Sequence, residues 1–259
     1  MKPQVLTAAA LLTTISLATP AKAENLTQLS QLLNTKQCVQ CDLRGVGLVR
    51  ARLPYAQLTQ TNLTRANLSR ADLTGADLRG ADLTGASLNG ANLTGADLRG
   101  AILHGTDLRD AYLFNVKLED NSLASAYIQG TIGIPLDAAT AAQFNVWGVM
   151  EANRQNYPAA LEHYNKALLL DPELAAAYLG SAWVLYRLQE EDEAIKNATI
   201  ASNLFEEQGN VPGKEASDKF LENIELARKE AENRSSGGSG GGVGRFLGGV
   251  LSFLIQFLL

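Results

Sequence analysis

Few side chains in this chain of 259 residues combine the types and spacing that chemistry needs. Cys38 and Cys41 are the only cysteines, and they stand three positions apart. In an oxidising compartment they can close a small disulfide; otherwise they are two buried thiols. Two thiolates do not complete a zinc site, and neither His104 nor His163 lies near them in sequence, so no metal is expected. Both histidines stand apart from any nucleophile or acid and read as surface residues. No glycine-rich phosphate loop is present, and the acidic residues recur in step with a repeat, so they report repetition rather than a catalytic pair. The expectation is a protein that is not an enzyme and takes no cofactor. The residue types best suited to activity are Trp183, Tyr186 and Arg187, which favour the anchoring of protein interfaces.

The element that must position most of these residues is a repeat. From Leu43 to Ile128 one large apolar residue returns every fifth position, 18 times without a slip. A small residue, usually alanine, precedes it by two, as in Ala66 and Leu68 or Ala81 and Leu83. A period of five rotates successive leucines by about 140° on an α-helix, so no apolar stripe would form. On an extended segment, residues two apart share a face, and alanine and leucine both turn inward. The other three positions hold Asp, Asn, Thr, Ser, Arg and Gly, with glycine from Gly75 to Gly105 at one fixed phase where the chain must bend. Repeated strand and turn make a solenoid.

The unit A-[D/N]-L-x-x, as in Ala66-Asn67-Leu68-Ser69-Arg70, resembles the pentapeptide-repeat family over roughly a third of the chain. That resemblance implies a β-solenoid, a right-handed quadrilateral β-helix with four pentads to the coil. Residues twenty apart then stack, so Asp77 and Arg79 should lie over Asp97 and Arg99, and Lys117 and Glu119 should continue the columns. This ladder reads mainly as a solvated surface of weak pairs, with a binding face as the alternative. The Asn-x-Ser/Thr triplets at Asn62, Asn67 and Asn92 are by-products of the same unit.

Before the repeat, residues 24–37 read as a short amphipathic helix that caps the open solenoid end. After Ile128 the phase is lost, and Ile134 and Pro135 break the strand pattern. The solenoid should therefore span 38–132. From Ala141 the period becomes helical. Phe144, Trp147, Gly148, Tyr157, Ala160, Tyr164, Ala167 and the stop at Asp171-Pro172 resemble a tetratricopeptide repeat. A looser copy runs from Ala175 to about Gln208, and a further amphipathic helix from Gly213 to Asn233 completes a helical domain over 141–233. This second resemblance implies an α-helical tetratricopeptide domain with a peptide-binding groove. Its candidate lining is Asn145, Val149 and Asn153 from the first repeat and Leu179, Trp183, Tyr186 and Arg187 from the second. Trp183 could equally pack under the last helix.

Residues 1–23 have the layout of a secretory signal, with an apolar run from Val5 to Ala18 and Ala21 and Ala23 before Glu24. Residues 235–244 form a glycine-serine linker, and 245–259 a tail whose last 14 residues carry no charge. As a helix the uncharged stretch would be about 21 Å long, short of the roughly 30 Å needed to span a bilayer. Lying in a membrane interface suits it; self-association and folding back on the core are the alternatives. Net charge is −5 for the whole chain, and residues 136–234 carry nine basic against seventeen acidic side chains, which argues against nucleic acid as a partner.

The expected function is a non-enzymatic protein-protein interaction scaffold in an exported compartment, which the pentapeptide-repeat resemblance implies is the periplasm or thylakoid lumen, binding a partner through the helical groove or the solenoid face near a membrane. Two alternatives stand beside it. One, implied by the family resemblance, is a DNA-mimicking modulator of a type II topoisomerase. The other is an enzyme with an unrecognised site, for which the place to look is the junction from Gly133 to Thr140.

Overall fold

The computed structural model describes residues 20–119 and 122–235. The apolar run of the expected secretory signal and the whole of the apolar tail lie outside the described residues, as does the expected linker apart from Ser235.

Parallel bridges join residues twenty apart, from Gln37 with Gln57 to Tyr112 with Ile132. Each pentad is one side of a square coil. The leucine series points inward and is almost wholly buried, from Leu43 at 0% exposed to Leu118 at 8%. Between coils the backbone pairs along the same ladder: Leu73 N–H donates to Asn92 O at 2.8 Å, and Asn92 N–H donates to Ala71 O at 2.9 Å. Where threonine takes the alanine phase, its hydroxyl is buried and satisfied. Thr106 Oγ1 donates to Leu83 O at 2.9 Å, and Thr131 Oγ1 to Leu108 O at 2.7 Å.

Where the outward position of a pentad holds Asp or Asn, that residue has a local task. Its Oδ1 accepts from the backbone N–H two residues on, as Asp72 does from Thr74 at 3.1 Å and Asn92 from Thr94 at 3.1 Å. This Asx geometry sets the turn. The corner that follows has positive φ in coil after coil. Glycine holds it at Gly95 (φ 71°), but earlier coils place Arg50 (φ 57°), Arg65 (φ 56°) and Arg70 (φ 59°) there. Late in the rod one corner bond departs locally, and the register is regained at Leu108, whose N–H bonds Tyr127 O nineteen residues on. Gly95 N–H bonds Phe114 O nineteen residues on, whereas Gly105 N–H bonds Ser125 O twenty residues on.

Helix α1, Pro20–Thr35, covers the first coil. It ends two residues before the expected boundary because Lys36 turns into the left-handed region (φ 58°). Its side chains cap the coil edge: Gln28 Oε1 accepts from Asp42 N–H at 2.7 Å, and Gln31 Nε2 donates to Gln37 O at 3.0 Å. At the other end the chain leaves the solenoid through a short 3-10 turn, Leu136–Ala138. It then enters α2, Ala141–Asn153, which Thr140 caps by accepting from Gln143 N–H.

Helices α3 (Tyr157–Leu170), α4 (Ala175–Arg187), α5 (Glu191–Glu207) and α6 (Val211–Ser235) follow as an antiparallel stack, each packed on the one before. Ser235, expected to open the linker, is instead the last residue of α6. Solenoid and helices share one continuous core. Two contacts clamp the junction. Gly130 N–H donates to Glu151 Oε1 at 2.8 Å, and Lys166 Nζ donates to Ile134 O at 2.7 Å.

Candidate functional site

Helix α4 decides where a binding surface can be. Its residues from Leu179 to Leu185 are all buried, because α4 lies between α3 and α5 and also touches α2. A helix apolar on all sides belongs inside a stack. Leu179 (0% exposed) and Trp183 (7%) are therefore core residues, a correction to the expected groove. Asn145 (5%) and Val149 (3%) are corrected in the same way, since α2 is closed in by α3, α4 and, through Glu151, the last coil. Of the seven groove candidates only Asn153, Tyr186 and Arg187 reach solvent.

Tyr186 and Arg187 do meet, with Gln189 and Glu191, around a cavity of about 460 Å³ at the C-terminal end of α4. Arg187 lies over the Trp183 ring at 5.6 Å, and Tyr157 meets that ring edge-on at 6.1 Å. Tyr186 packs edge-on against Phe220 of α6 at 5.9 Å. Partial burial, helped by the carboxylate of Glu191, raises the Tyr186 phenol above its ordinary pKa. Gln189 and Glu191 were not among the sequence candidates. They sit on the loop and first turn after α4, and periodicity says nothing of loops.

His163 also corrects the sequence reading. It is buried (3% exposed), with Trp147 edge-on at 5.8 Å and Phe144 tilted at 6.1 Å. Burial, and then Lys166, lowers its pKa to about 4. Its Nδ1 has no hydrogen-bond partner among the described residues. His104 lies on the coil exterior. Among the described residues, no three His, Cys, Asp or Glu side chains converge as metal ligands. Cys38 and Cys41 are both buried, and they are joined to each other as a disulfide beneath α1.

On the solenoid, Asp77, Asp97 and Lys117 form one bridged column as the twenty-residue register requires. The arginines of that face are neutralised within their own pentads. Arg79 donates Nε and Nη2 to the two oxygens of Asp77 at 2.8 and 2.6 Å, and Arg99 does the same to Asp97 at 2.9 and 2.6 Å. The Arg79 hydrogen bond holds the Asp77 carboxyl down at about 2. Arg44 and Arg109 repeat the arrangement with Asp42 and Asp107. The sequence D-L-R is what makes it, because two residues along an extended strand return to the same side.

Residues 41–80 and 76–113 match the family model of pentapeptide repeats, in eight copies. No curated protein sequence matches the chain. Among solved structures, a pentapeptide repeat protein from the thylakoid lumen of Arabidopsis thaliana is 29% identical over 42% of this chain and 68% of its own, with a TM-score of 0.26. HetL, a pentapeptide repeat protein involved in heterocyst differentiation regulation in the cyanobacterium Nostoc, is 30% identical over 40% of this chain, with a TM-score of 0.22. The chain spans 60% of HetL's length. Rfr23, a pentapeptide repeat protein from the cyanobacterium Cyanothece, is 27% identical over 41% of this chain and 92% of its own, with a TM-score of 0.19. The N-terminal domain of this chain is a solenoid of pentapeptide repeats.

Proposed function

We propose that this chain is a non-enzymatic scaffold of an exported compartment, the periplasm or the thylakoid lumen, and that it holds a partner protein near a membrane. The observation that carries this reading is the junction. The solenoid and the helices share one core and are clamped by Glu151 and Lys166, so the two domains present their surfaces in a fixed relation. A scaffold needs that property more than an enzyme does. The helical half, read as tetratricopeptide-like, offers the cavity at Tyr186 and Arg187, with aromatic and guanidinium groups of the kind that dominate interface energetics. Export is supported by the layout of residues 1–23 and by a disulfide of the kind that oxidising compartments allow. Among the described residues no helix is long and apolar enough to cross a membrane. Membrane contact in this reading falls to residues 245–259.

The test is affinity capture of the tagged full chain from a photosynthetic bacterium after mild detergent extraction, beside the variant Tyr186→Ala/Arg187→Ala. A partner recovered with the parent chain and lost with the variant supports the reading. Recovery of the same proteins with both refutes the cavity as the binding surface.

A further inference from the structure

The exposed arginines of the solenoid fall into two groups. Arg44, Arg79, Arg99 and Arg109 follow an aspartate by two positions and are chelated by it. Arg50, Arg65 and Arg70 follow a leucine by two positions, and Arg52 follows Arg50, so none has a carboxylate placed to chelate it. All four of these belong to the first two coils. Asp72, bridged to Arg52, is the acid of that neighbourhood, and its Oδ1 is committed to the N–H and hydroxyl of Thr74.

Their placement is specific. Gly47 and Asn67 are the bridged centres of one side of the square. Arg65 stands at the corner before that side, twenty residues above Gly45. Arg50 and Arg70 are stacked at the corner after it. All three hold the left-handed corner (φ 56–59°) that glycine takes from Gly75 to Gly105. A side chain there costs about 1 kcal/mol that glycine does not. Gln40, Tyr55, Gln60, Asp110 and Asn115 hold the same corner without glycine, so what distinguishes Arg50, Arg65 and Arg70 is their unchelated charge within two coils rather than the backbone they adopt.

The same side has an open edge. In the second coil Asn67 donates to Val46 O and accepts from Leu48 N–H. Gly47, directly below, is exposed, and neither its N–H nor its C=O has a partner among the described residues. Gln28 and Gln31 of α1 cap the two preceding sides but do not reach this one. Beside the open edge, a hollow of about 460 Å³ between α1 and the first coil is lined by Leu26, Leu29, Val46 and Gly47, with Asn25 and the paired Asp42 and Arg44 on its polar side.

We infer that this edge receives a short, extended, acidic segment of a partner protein. Its backbone pairs with Gly47, an apolar side chain enters the hollow beside Leu29, and its carboxylates meet Arg65 at one end and Arg50 and Arg70 at the other. Strand addition to an exposed edge supplies the affinity and the flanking charges supply the selectivity. A lipid headgroup would satisfy the arginines but offers no peptide groups to the edge. This surface lies at the opposite end of the molecule from the cavity at Tyr186, so the two can fail separately.

The test is fluorescence anisotropy with the full chain and a labelled ten-residue peptide alternating Glu and Val, at low and moderate salt. The variant is Arg50→Gly/Arg65→Gly/Arg70→Gly, which restores the residue used at the same phase elsewhere and so keeps the fold. The control is Arg79→Ala/Arg99→Ala, and Gly47→Pro removes the edge donor without touching charge. Expected are saturable binding that weakens with salt, a loss of roughly tenfold in the triple variant from three exposed ion pairs, a further loss with Gly47→Pro, and little change in the control. Three results overturn the inference: no binding, equal losses in the triple variant and the control, or arginine-dependent binding to vesicles of phosphatidylglycerol and phosphatidylcholine with none to the peptide.

Discussion

His163 makes the stability of the helical domain depend on pH in a window that can be calculated. The ring is nearly sealed from solvent by Phe144 and Trp147, and the charged groups that act on it are Lys166, which opposes a positive imidazole, and Glu162 and Glu151, which favour one. Desolvation dominates and lowers the pKa from 6.5 to about 4. The folded state therefore prefers the neutral ring. Its contribution is complete above the unfolded pKa near 6.5 and is lost as pH falls toward the folded value near 4. The separation corresponds to about 3 kcal/mol, of which about 2.5 kcal/mol is gone by pH 4.5. The chelated aspartates do not confuse this window, because carboxyls held below 3.8, such as Asp77 at about 2, give up their stabilisation only at lower pH. Urea unfolding followed by tryptophan fluorescence reports on the right half of the molecule, since Trp147 and Trp183 both lie in the helices. The wild-type chain should lose about 2.5 kcal/mol between pH 7 and pH 4.5. His163→Phe, which also removes the unpartnered Nδ1, should lose far less. Parallel losses in the two proteins would refute the assignment of the pH dependence to this ring.

Other substitutions test the packing. A Cβ at Gly180 would stand 2.5 Å from the Tyr164 ring, which is itself buried against Gly148, so Gly180→Ala should destabilise the helices by about 1–3 kcal/mol in the same urea assay. At Gly95 the space is open but φ is 71°, and Gly95→Ala should cost the solenoid about 1 kcal/mol through the backbone alone, read from its thermal midpoint by circular dichroism. Leu78→Ala removes a wholly buried rung from the middle of the rod and should cost about 2–5 kcal/mol by the same measure. Glu151→Ala leaves Gly130 N–H and Asn156 Nδ2 without their shared acceptor at the junction, and amide hydrogen exchange at Gly130 should quicken while exchange at mid-rod Leu73 stays slow.

The solenoid was legible because its rule is local and repeats. One inward leucine and one small inward neighbour per pentad, with an Asx turn wherever Asp or Asn stands between them, define the coil, and each coil reports on the next. The helical half yielded its helical period to the sequence but not its surface. Whether Leu179 and Trp183 face a groove or a core depends on how many helices surround α4, and that number comes from tertiary packing that no single helix encodes. His163 shows the same limit, since its burial is set by Phe144 and Trp147 on another helix.

Charge lies between these cases. The twenty-residue register places Arg79 and Arg99 in one ladder, which reads mainly as a solvated surface of weak pairs and alternatively as a binding face. Chelation favours the first reading, because each guanidinium spends two donors on an aspartate two positions earlier. That rule can be read directly from the letters: D-L-R silences an arginine, and L-T-R or L-S-R does not. Applied along the repeat, it moves the available positive charge from the middle of the rod to Arg65 and Arg70, and to Arg50 and Arg52 of the first coil, next to the coil edge that α1 leaves open from Gly47 onward. A binding surface on a regular solenoid is thus found at its departures from the repeat: a cation that no aspartate chelates, beside an edge the cap does not reach.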